Sequence, residues 1–386
     1  MQKVYLISEK GAHLRNLPKL FNPSQYALIF IGGNNSIFKK NKSFIKIGIA
    51  KNRSFIESFI ENGDLLDSIN GLVIFGTDSE MREIAESDLP INLKLILLPS
   101  KSPNFLDMYD SKAGFDRISD MLKLKKPRTI VVRNLSELKA AISELNFPIF
   151  LKKDRGGGGT GVTQFQSVEG IFALNITSAD LPILLQEKMS GDLVGVEAFY
   201  LNGHLLAYIY SKAVNEMSSD GPTYEHISMV PNSTDFVAAL ESIGRLTELT
   251  GLVNCTFILD SRSGEHFIFE FDPRPNTWHF LANSVGLDIS NLYSSQNINT
   301  QESNVGIVNF VLTGRYIHYL SNYAVKRKAL SGMISMSKSS SILIGKNGSL
   351  TKNRFIKFLL LNFKYLSRKP FYVAPRELQR LIRHYL

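Results

Sequence analysis

A glycine-rich stretch that follows a lysine is the first feature of this sequence that could do chemistry. The apolar run Ile149–Leu151 precedes Lys152, and Gly156–Gly159 and Gly161 follow. Consecutive glycines let several backbone N–H groups turn toward one anion, because no Cβ atom stands in the way. The stretch is typical of a phosphate-binding loop, although neither Gly-Lys-Ser/Thr nor a Gly-x-Gly-x-x-Gly helix accompanies it. A flexible surface linker is the alternative interpretation.

A pair of carboxylates lies at the end of a predicted strand, His266–Asp272. Glu270 and Asp272 are two residues apart, so a strand places both on one face. Such close carboxylates repel one another unless a cation lies between them, and their oxygens suit Mg²⁺ bound to nucleotide phosphates. Arg274 continues the alternation and offers a planar fork to a phosphate or a carboxylate. A solvated row of ion pairs is the alternative.

The first part of the chain alternates apolar runs with polar helical stretches. This alternation is typical of a parallel α/β sheet of Rossmann-like type. The predicted strands are Lys3–Ser8, Ala27–Ile31, Ile45–Ala50, Leu72–Phe75 and Leu93–Leu98, and the predicted helices are Phe55–Ile69 and Ser79–Glu86.

The middle of the chain mixes helices with hairpins, which indicates an α+β arrangement. Lys112 lies on a predicted helix, and Asn134 with Glu137 forms a capping box at the start of another. Further predicted strands are Pro127–Val132, Leu181–Gln186, Val194–Leu201, Leu205–Lys212, Leu252–Asp260 and His266–Asp272, with a helix at Asp235–Thr250 ended by Gly251.

Composition indicates a globular protein of two or three domains, since 44% of the 386 residues are hydrophobic and 20% are charged. The single cysteine, Cys255, excludes a disulfide framework, fits a reducing cytoplasm and is expected to be a small core residue. No signal peptide and no membrane-spanning segment are expected.

The basic charge is concentrated in the last part of the chain. Residues 301–386 contain 15 Lys and Arg and 2 Asp and Glu, a charge of 15 − 2 = +13, so residues 1–300 carry 9 − 13 = −4. The segment Leu350–Leu366 predicts a basic amphipathic helix, and Pro375–Leu386 a second short one. Such helices either bind an anionic membrane surface or pack on the protein with a solvated basic side. No nucleic-acid-binding module is present, so nucleic acid is not expected as a partner.

The order of these features resembles the ATP-grasp superfamily, in particular its carboxylate–amine ligases and the ATP-binding domain of carbamoyl-phosphate synthetases. The resemblance covers residues 1–295 and implies a pre-ATP-grasp α/β domain followed by two α+β lobes that hold ATP. The domains expected are therefore 1–105 (pre-ATP-grasp), 106–300 (ATP-grasp, with the glycine loop at 155–162) and 301–386 (a basic helical C-terminal extension).

The resemblance also implies roles for individual residues. Lys152 matches the phosphate-binding lysine, and Lys112 the lysine of the family's Asp-Lys helix, although a serine follows Asp110 here. Glu270 and Asp272 match the metal-binding Glu-x-Asn pair, and Arg274 the arginine that follows it. The remaining nucleotide contacts implied are Gly156, Gly157, Gly158, Gly159 and Gly161 over the β- and γ-phosphates, Glu187 at the adenine amino group, Lys188 and Met189 at the adenine edge, and Asp192 at the ribose.

Some positions depart from the family pattern. Asp272 replaces the usual Asn, which keeps an oxygen ligand and adds a charge. Thr256 stands where the family often has a further metal ligand, which leaves the number of metal ions open, and Asn254 on the same face could help. Residues expected near the acceptor substrate are Arg155, Lys212, Glu225, His226, Trp278 and His279.

The function implied is an enzyme, a carbon–nitrogen ligase that uses ATP and Mg²⁺ or Mn²⁺. It would activate a substrate carboxylate as an acylphosphate, join it to an amine and release ADP and phosphate. Lys152 and Arg274 are the expected catalytic residues. The alternatives are an ATP-grasp kinase that phosphorylates a hydroxyl and a non-catalytic, membrane-associated nucleotide-binding scaffold. The expected partners are small-molecule substrates in the cytoplasm, with the basic tail meeting the inner membrane face or an acidic lipid-linked substrate.

Overall fold

The computed structural model divides the chain into two compact units. The first unit comprises Met1–Tyr210 and Val230–Asn304, and the second comprises Ser211–Met229 and Val305–Leu386. The structure describes residues 1–11, 14–33, 45–49, 51, 53–216, 223–276, 278–295, 300–302, 308–312, 341–344 and 350–352.

The first unit begins with a parallel sheet of four strands in the order β3-β2-β1-β4. The strands are β1 (Gln2–Ile7), β2 (Tyr26–Gly33), β3 (Ile45–Ile49) and β4 (Leu72–Phe75). Every pairing among them is parallel. The parallel sheet predicted for this part of the chain is therefore confirmed.

Four helices accompany this sheet: α1 (Phe55–Ile60), α2 (Gly63–Asp67), α3 (Asp78–Glu86) and α4 (Ile91–Leu97). The helix predicted at Phe55–Ile69 is two helices, because the first ends at Ile60 and the side chain of Asn62 accepts from Leu65 N to cap the second. The strand predicted at Leu93–Leu98 is wrong, since this segment is α4. A short apolar run fits a strand and a helix equally well, and leucine favours the helix.

The N-terminus of α3 is tied to the end of β1 by a buried carboxylate. Glu80 forms a capping box with Thr77. Its Oε1 also accepts hydrogen bonds from Ser8 Oγ at 3.0 Å and from Glu9 N at 2.9 Å. These bonds fix the start of α3, and with it the side chain of Asp78, against the sheet.

A second, antiparallel sheet carries Lys152 and the glycine loop. Its order is β5-β8-β6-β7, and its core contains Val132, Ile142, Ile149, Ile171 and Leu185. The capping box predicted at Asn134 and Glu137 is confirmed. The elements are α5 (Lys112–Met121), β5 (Thr129–Val132), α6 (Leu135–Ser143), β6 (Ile149–Lys153), β7 (Val162–Phe165), α7 (Val168–Phe172) and β8 (Ile183–Glu187).

A third sheet carries Glu270 and Asp272. Within the first unit its order is β13-β12-β9-β10, and β12 is antiparallel to both neighbours. The helix predicted to reach Thr250 ends earlier, because Glu248 adopts a left-handed conformation and Gly251 already belongs to the next strand. The elements are β9 (Gly191–Leu201), β10 (His204–Glu216), α8 (Asp235–Thr247), β12 (Gly251–Asp260), β13 (His266–Asp272), α9 (Ile289–Ser295) and β14 (Gln301–Glu302).

The second unit contains β11 (Thr223–Ser228), β15 (Val308–Leu312), β16 (Ser341–Ile344) and β17 (Leu350–Lys352). The last residues of β10 pair with β11, and the order continues β11-β15-β16-β17. The basic helix predicted from Leu350 is wrong over its first three residues, which form β17; the remainder of it, and the second basic helix, lie outside the described residues. Among the helices that the structure describes, none has the length and apolar character needed to cross a membrane.

Candidate functional site

Lys152 is a buried lysine on β6. Its side chain faces away from the solvent-exposed Lys153, because successive residues of a strand point to opposite faces, and only 8% of its surface is exposed. Its Nζ lies 5.0 Å from the ring centroid of Phe269 on β13. Burial lowers the pKa of the ammonium to about 8, against a raising effect of Glu270. A charged, poorly solvated ammonium of this kind is suited to bind an anion.

A β-bulge places the two carboxylates of β13. Glu270 pairs with Thr256 of β12, whereas Phe257 pairs with Ile268, so Phe269 is the extra residue. The bulge resets the alternation of the strand. As a result Ile268 lies buried while Phe269 reaches Lys152, and Glu270 and Asp272 share one face.

The glycine loop connects β6 to β7, a strand that the sequence analysis did not predict. Gly156, Gly158, Gly159 and Gly161 all have positive φ angles, which residues with a side chain adopt at a cost. A Cβ built at Gly157 or at Gly158 would meet no described atom within 4 Å. The middle of the loop is thus open on the side where a phosphate could enter.

The first residues of the loop are held by the start of α5. Nζ of Lys112 donates to the carbonyl oxygens of Gly156 at 2.7 Å and of Asp154 at 3.2 Å. The carboxylate of Asp154 in turn accepts from Ser111 Oγ and from Ala113 N. The lysine predicted as a nucleotide contact therefore lies at the base of the glycine loop.

Arg274 lies between two carboxylates. Its Nε donates to Asp78 Oδ2 at 2.5 Å and its Nη2 to Asp272 Oδ2 at 3.1 Å. Burial alone would lower the pKa of Arg274, but the charges of Asp272 and Asp78 raise it. The guanidinium is consequently charged at every physiological pH and oriented by both partners.

These charged groups act on one another. Burial raises the pKa of the Asp272 carboxyl well above its usual range; Arg274 and Lys112 oppose this effect, whereas Asp78 and Glu270 add to it. Lys112 likewise lowers the pKa of Lys152. The structure thus brings Lys112, Lys152, Glu270, Asp272 and Arg274 into a single cluster, called the phosphate cluster below.

The predicted adenine hinge lies at the end of β8. Oε1 of Glu187 accepts from Asn146 N at 2.8 Å and from Asn146 Nδ2 at 3.0 Å. The backbone N–H of Lys188 donates to Pro148 O, and its Nζ lies 2.8 Å from Gln164 Oε1. Met189, half-buried, follows in the connection to β9. A hinge contact to an adenine edge would therefore use backbone groups other than the Lys188 N–H.

Asp192 is not brought to the phosphate cluster. It lies on β9 opposite Leu259 in a regular antiparallel register. Alternation therefore places it on the face of β9 opposite to that of Glu197. Its charge contributes to the raised pKa of Tyr210, after burial and the charge of Asp235. This position gives no support to the ribose contact that the resemblance implies.

The metal-binding capacity of the site rests on Glu270 and Asp272. In the described part of the chain, no group of three or more His, Cys, Asp or Glu side chains is arranged to hold a metal ion. Thr256 and Asn254 lie opposite Glu270 and Asp272, but Nδ2 of Asn254 donates to Glu197 Oε1 at 2.9 Å. Two carboxylates fit a Mg²⁺ ion that takes its remaining ligands from phosphate oxygens and water.

The residues expected near the acceptor substrate are divided between the two units. Trp278 and His279 are buried, and Arg155 donates to Glu86 Oε1 at 2.7 Å. Lys212 and His226 belong to the second unit, where His226 Nδ1 lies 2.8 Å from Ser211 Oγ. The side chain of Glu225 lies outside the described residues. Cys255 is fully buried, and burial raises the pKa of its thiol, as expected of a core residue.

Sequence reasoning missed Asp78, Glu197 and Phe269. Asp78 contacts Arg274 although 196 residues separate them in the chain. The available signal for Asp78 was its spacing from Arg82 and Glu86 on one helix face. Neither the bulge at Phe269 nor the pairing of β9 with β12 leaves a local pattern in the sequence.

Comparison with known proteins gives likenesses to nucleotide-dependent enzymes. No family model matches the sequence. A carbamoyl phosphate synthase arginine-specific large chain of Arabidopsis thaliana is 21% identical over 198 residues, which are 48% of this chain and 16% of that relative. The chain therefore corresponds to a small part of that protein.

Solved structures match a larger share of the chain. The ADP complex of an N5-carboxyaminoimidazole ribonucleotide synthetase has a TM-score of 0.59 at 16% identity and covers 79% of both chains. The biotin carboxylase domain of Hydrogenobacter thermophilus 2-oxoglutarate carboxylase, in complex with MgADP, ADP and bicarbonate, has a TM-score of 0.58 at 11% identity. That match covers 79% of this chain and 71% of the other. At these identities the likeness shows the fold.

Proposed function

We propose that this chain, which has the ATP-grasp fold, is an ATP- and Mg²⁺-dependent ligase that joins a carboxylate to an amine. The phosphate cluster carries this proposal. The cluster consists of two lysines, two carboxylates and an arginine, which come from α5, β6, β13 and the residues after β13. Their charges shift one another's pKa values beside a glycine loop. Neither a surface linker nor a solvated ion-pair row would bury a lysine and an arginine together in this way.

The nucleotide would be bound through its phosphates. Lys152 would donate to a phosphate oxygen, and Lys112 would turn from the loop carbonyls to another. The N–H groups of the glycine loop would bind the terminal phosphate, and the hinge after β8 would receive the adenine. The ion would supply Lewis-acid neutralisation of the phosphate oxygens, with Glu270 and Asp272 as its protein ligands.

Acyl activation follows from this placement. A substrate carboxylate oxygen would attack the γ-phosphorus while the bond to the β-phosphate oxygen breaks, which gives an acylphosphate and ADP. An amine would then attack the carbonyl carbon, lose a proton and expel phosphate. Arg274, fixed by Asp78, would neutralise charge on the transferred phosphoryl group.

Titration calorimetry with a non-hydrolysable ATP analogue tests the nucleotide site. Lys152→Ala should abolish binding that the wild type shows with Mg²⁺. Lys153→Ala is the matched control, because the neighbouring lysine is exposed and its Nζ lies 3.4 Å from Asp180. Equal loss in both variants, or no binding to folded wild type, would contradict the proposed site.

The reaction class is tested by trapping. Once ADP release identifies a carboxylate substrate, hydroxylamine should convert the acylphosphate to a hydroxamate before the amine is added. A phosphorylated hydroxyl product without hydroxamate would identify a kinase instead. If ATP binds but no carboxylate or hydroxyl compound tested causes release of ADP, the non-catalytic alternative would be favoured.

A further inference from the structure

Helix α3 of the parallel-sheet region carries three charged residues on one face. Asp78, Arg82 and Glu86 follow one another at intervals of four residues, so their side chains lie one above the other along the helix. Asp78 contacts Arg274 of the phosphate cluster and Glu86 contacts Arg155 of the glycine loop. Arg82 contacts Asp110, whose carboxylate accepts from the Gly156 N–H. These residues are called the α3 charge row below.

The middle residue holds the first residues of the glycine loop. Nη1 of Arg82 donates to Asp110 Oδ2 at 2.6 Å, and the other oxygen of Asp110 accepts from Gly156 N at 3.2 Å. The side chains of Arg82 and Asp110 are only 23% and 12% exposed. Because water is largely excluded from this ion pair, it is the stronger of the two contacts that α3 makes with the loop.

The last residue of the row makes a weaker contact one residue earlier in the loop. Oε1 of Glu86 accepts from Arg155 Nη2 at 2.7 Å, with side chains 54% and 55% exposed. An ion pair so exposed to water contributes little to stability and breaks readily. The loop is therefore held by an inner ion pair, Arg82–Asp110, and an outer one, Glu86–Arg155.

The first residue of the row holds Arg274. Asp78 Oδ2 accepts from Nε of the guanidinium, while Nη2 donates to Asp272 Oδ2 at 3.1 Å and Nη1 to Pro275 O at 3.5 Å. If Asp272 turns toward a metal ion, Asp78 remains as the carboxylate that orients the fork. One helix face thus contacts both the loop and the arginine proposed for phosphoryl transfer.

We propose that the α3 charge row positions the glycine loop and Arg274 together, and that the loop closes by breaking the outer ion pair while the inner one persists. Gly156, with its φ of +102°, is the pivot, since its N–H is fixed by Asp110, which Arg82 holds in turn. A Cβ at Gly157 or Gly158, directly beyond it, would meet no described atom within 4 Å, whereas one at Gly161 would meet the Lys153 side chain at 3.1 Å. Asp78, Arg82 and Glu86 are positioning residues, and this inference rests on the proposed function.

Amide hydrogen exchange of the nucleotide-free protein tests the contacts themselves. Arg82→Gln should expose the Gly156 amide and speed exchange over 154–161 about fivefold or more, and Glu86→Gln should do so to a smaller extent. Glu83→Gln is the matched control, because Glu83 lies on α3 but its carboxylate accepts from Ser54 Oγ. Arg155→Gln removes the outer ion pair from the loop side and keeps the Arg82–Glu86 ion pair of 3.7 Å, so it should speed exchange as Glu86→Gln does. Rates equal to those of Glu83→Gln in every variant would overturn the proposal.

Nucleotide binding tests the closing movement. Glu86→Gln removes a contact that closure must break, so it should tighten binding of a Mg²⁺–ATP analogue about two- to fivefold. Arg82→Gln removes the fixed pivot and should weaken binding, and neither change should alter ADP binding as strongly. Shifts in the same direction for both variants would overturn the closing mechanism. Absence of analogue binding to wild type would contradict the proposed function instead, while the exchange rates still decide whether the row holds the loop.

Discussion

Oε2 of Glu197 lies 2.6 Å from Nδ1 of His279, and neither side chain has any exposed surface. The other oxygen of Glu197 accepts from Asn254 Nδ2 at 2.9 Å, and Asn254 faces Asp272 across the β12–β13 pairing. This buried pair therefore lies in the layer that supports the carboxylates of β13. His279 therefore supports the site from within the core, since its side chain has no exposed surface on which a substrate could bind.

Removing one member of this pair is predicted to destabilise the protein. His279→Phe keeps the ring packing against Phe199 but removes the ring nitrogen that contacts the buried Glu197 carboxylate and accepts from the Asn276 N–H at 3.0 Å, which should lower the free energy of unfolding by about 3 kcal/mol or more. Adding Glu197→Gln removes the stranded charge and keeps an oxygen for Asn254. The double variant should thus be more stable than His279→Phe alone when both are unfolded with urea. If the two losses simply add, the pair does not interact as the geometry indicates.

The parts of this site that the sequence predicts depend on spacing within one strand or loop. The phosphate-binding loop after Lys152 is predicted from the conformational freedom of glycine alone. The pairing of Glu270 with Asp272 on one face is predicted from the two-residue period of a strand. The ribose contact of Asp192 stays a prediction, because the face of a strand on which a side chain lies depends on register, which Gly191 and its neighbours do not specify. Asp78 was missed because its partner, Arg274, is brought near only by tertiary packing. The strand predicted at Leu93–Leu98 was wrong because short apolar segments suit either a helix or a strand.

Nucleotide binding is predicted to take up a proton above pH 8. Burial lowers the pKa of Lys152 to about 8 in the folded chain, from 10.5. Between these values the folded protein has lost the proton and the unfolded chain retains it, so the free energy of unfolding rises with pH there on account of Lys152. A bound phosphate favours the charged ammonium and restores the proton. Calorimetry at about pH 9 in buffers of different ionisation enthalpy should show uptake of up to about one proton.

A half-buried lysine, Lys101, provides the control for this measurement. Burial also lowers the pKa of Lys101 to about 8, but its Nζ donates to Leu95 O and Leu98 O at the end of α4. Lys152→Met should abolish the uptake, whereas Lys101→Met should leave it unchanged. Uptake that persists without Lys152 would assign the proton to another group.

The two carboxylates of β13 are predicted to contribute unequally to Mg²⁺ dependence. Glu270→Gln should lower affinity for a Mg²⁺–ATP analogue about tenfold or more and leave the weak metal-free binding unchanged or stronger. Asp272→Asn should have a smaller effect, because the amide keeps an oxygen ligand and Arg274 keeps Asp78. Glu265→Gln, an exposed carboxylate paired with Lys125, is the control. Equal sensitivity to Mg²⁺ in all three variants would remove Glu270 from the metal site.

A third carboxylate opposite Glu270 is predicted to strengthen metal binding and to lower the stability of the metal-free protein. Thr256 pairs with Glu270 in the β12–β13 register, so Thr256→Asp places a carboxylate directly across from it. Without a cation the like charges repel, and the free energy of unfolding should fall by about 1 kcal/mol. With Mg²⁺ the added oxygen ligands should offset this loss and raise the number of ions bound with the nucleotide analogue. Thr256→Asn, which adds an amide oxygen and no charge, should not lower the free energy of unfolding through like-charge repulsion and should strengthen metal binding less than Thr256→Asp does. A Thr256→Asp variant that Mg²⁺ fails to stabilise would place the metal away from this strand pair.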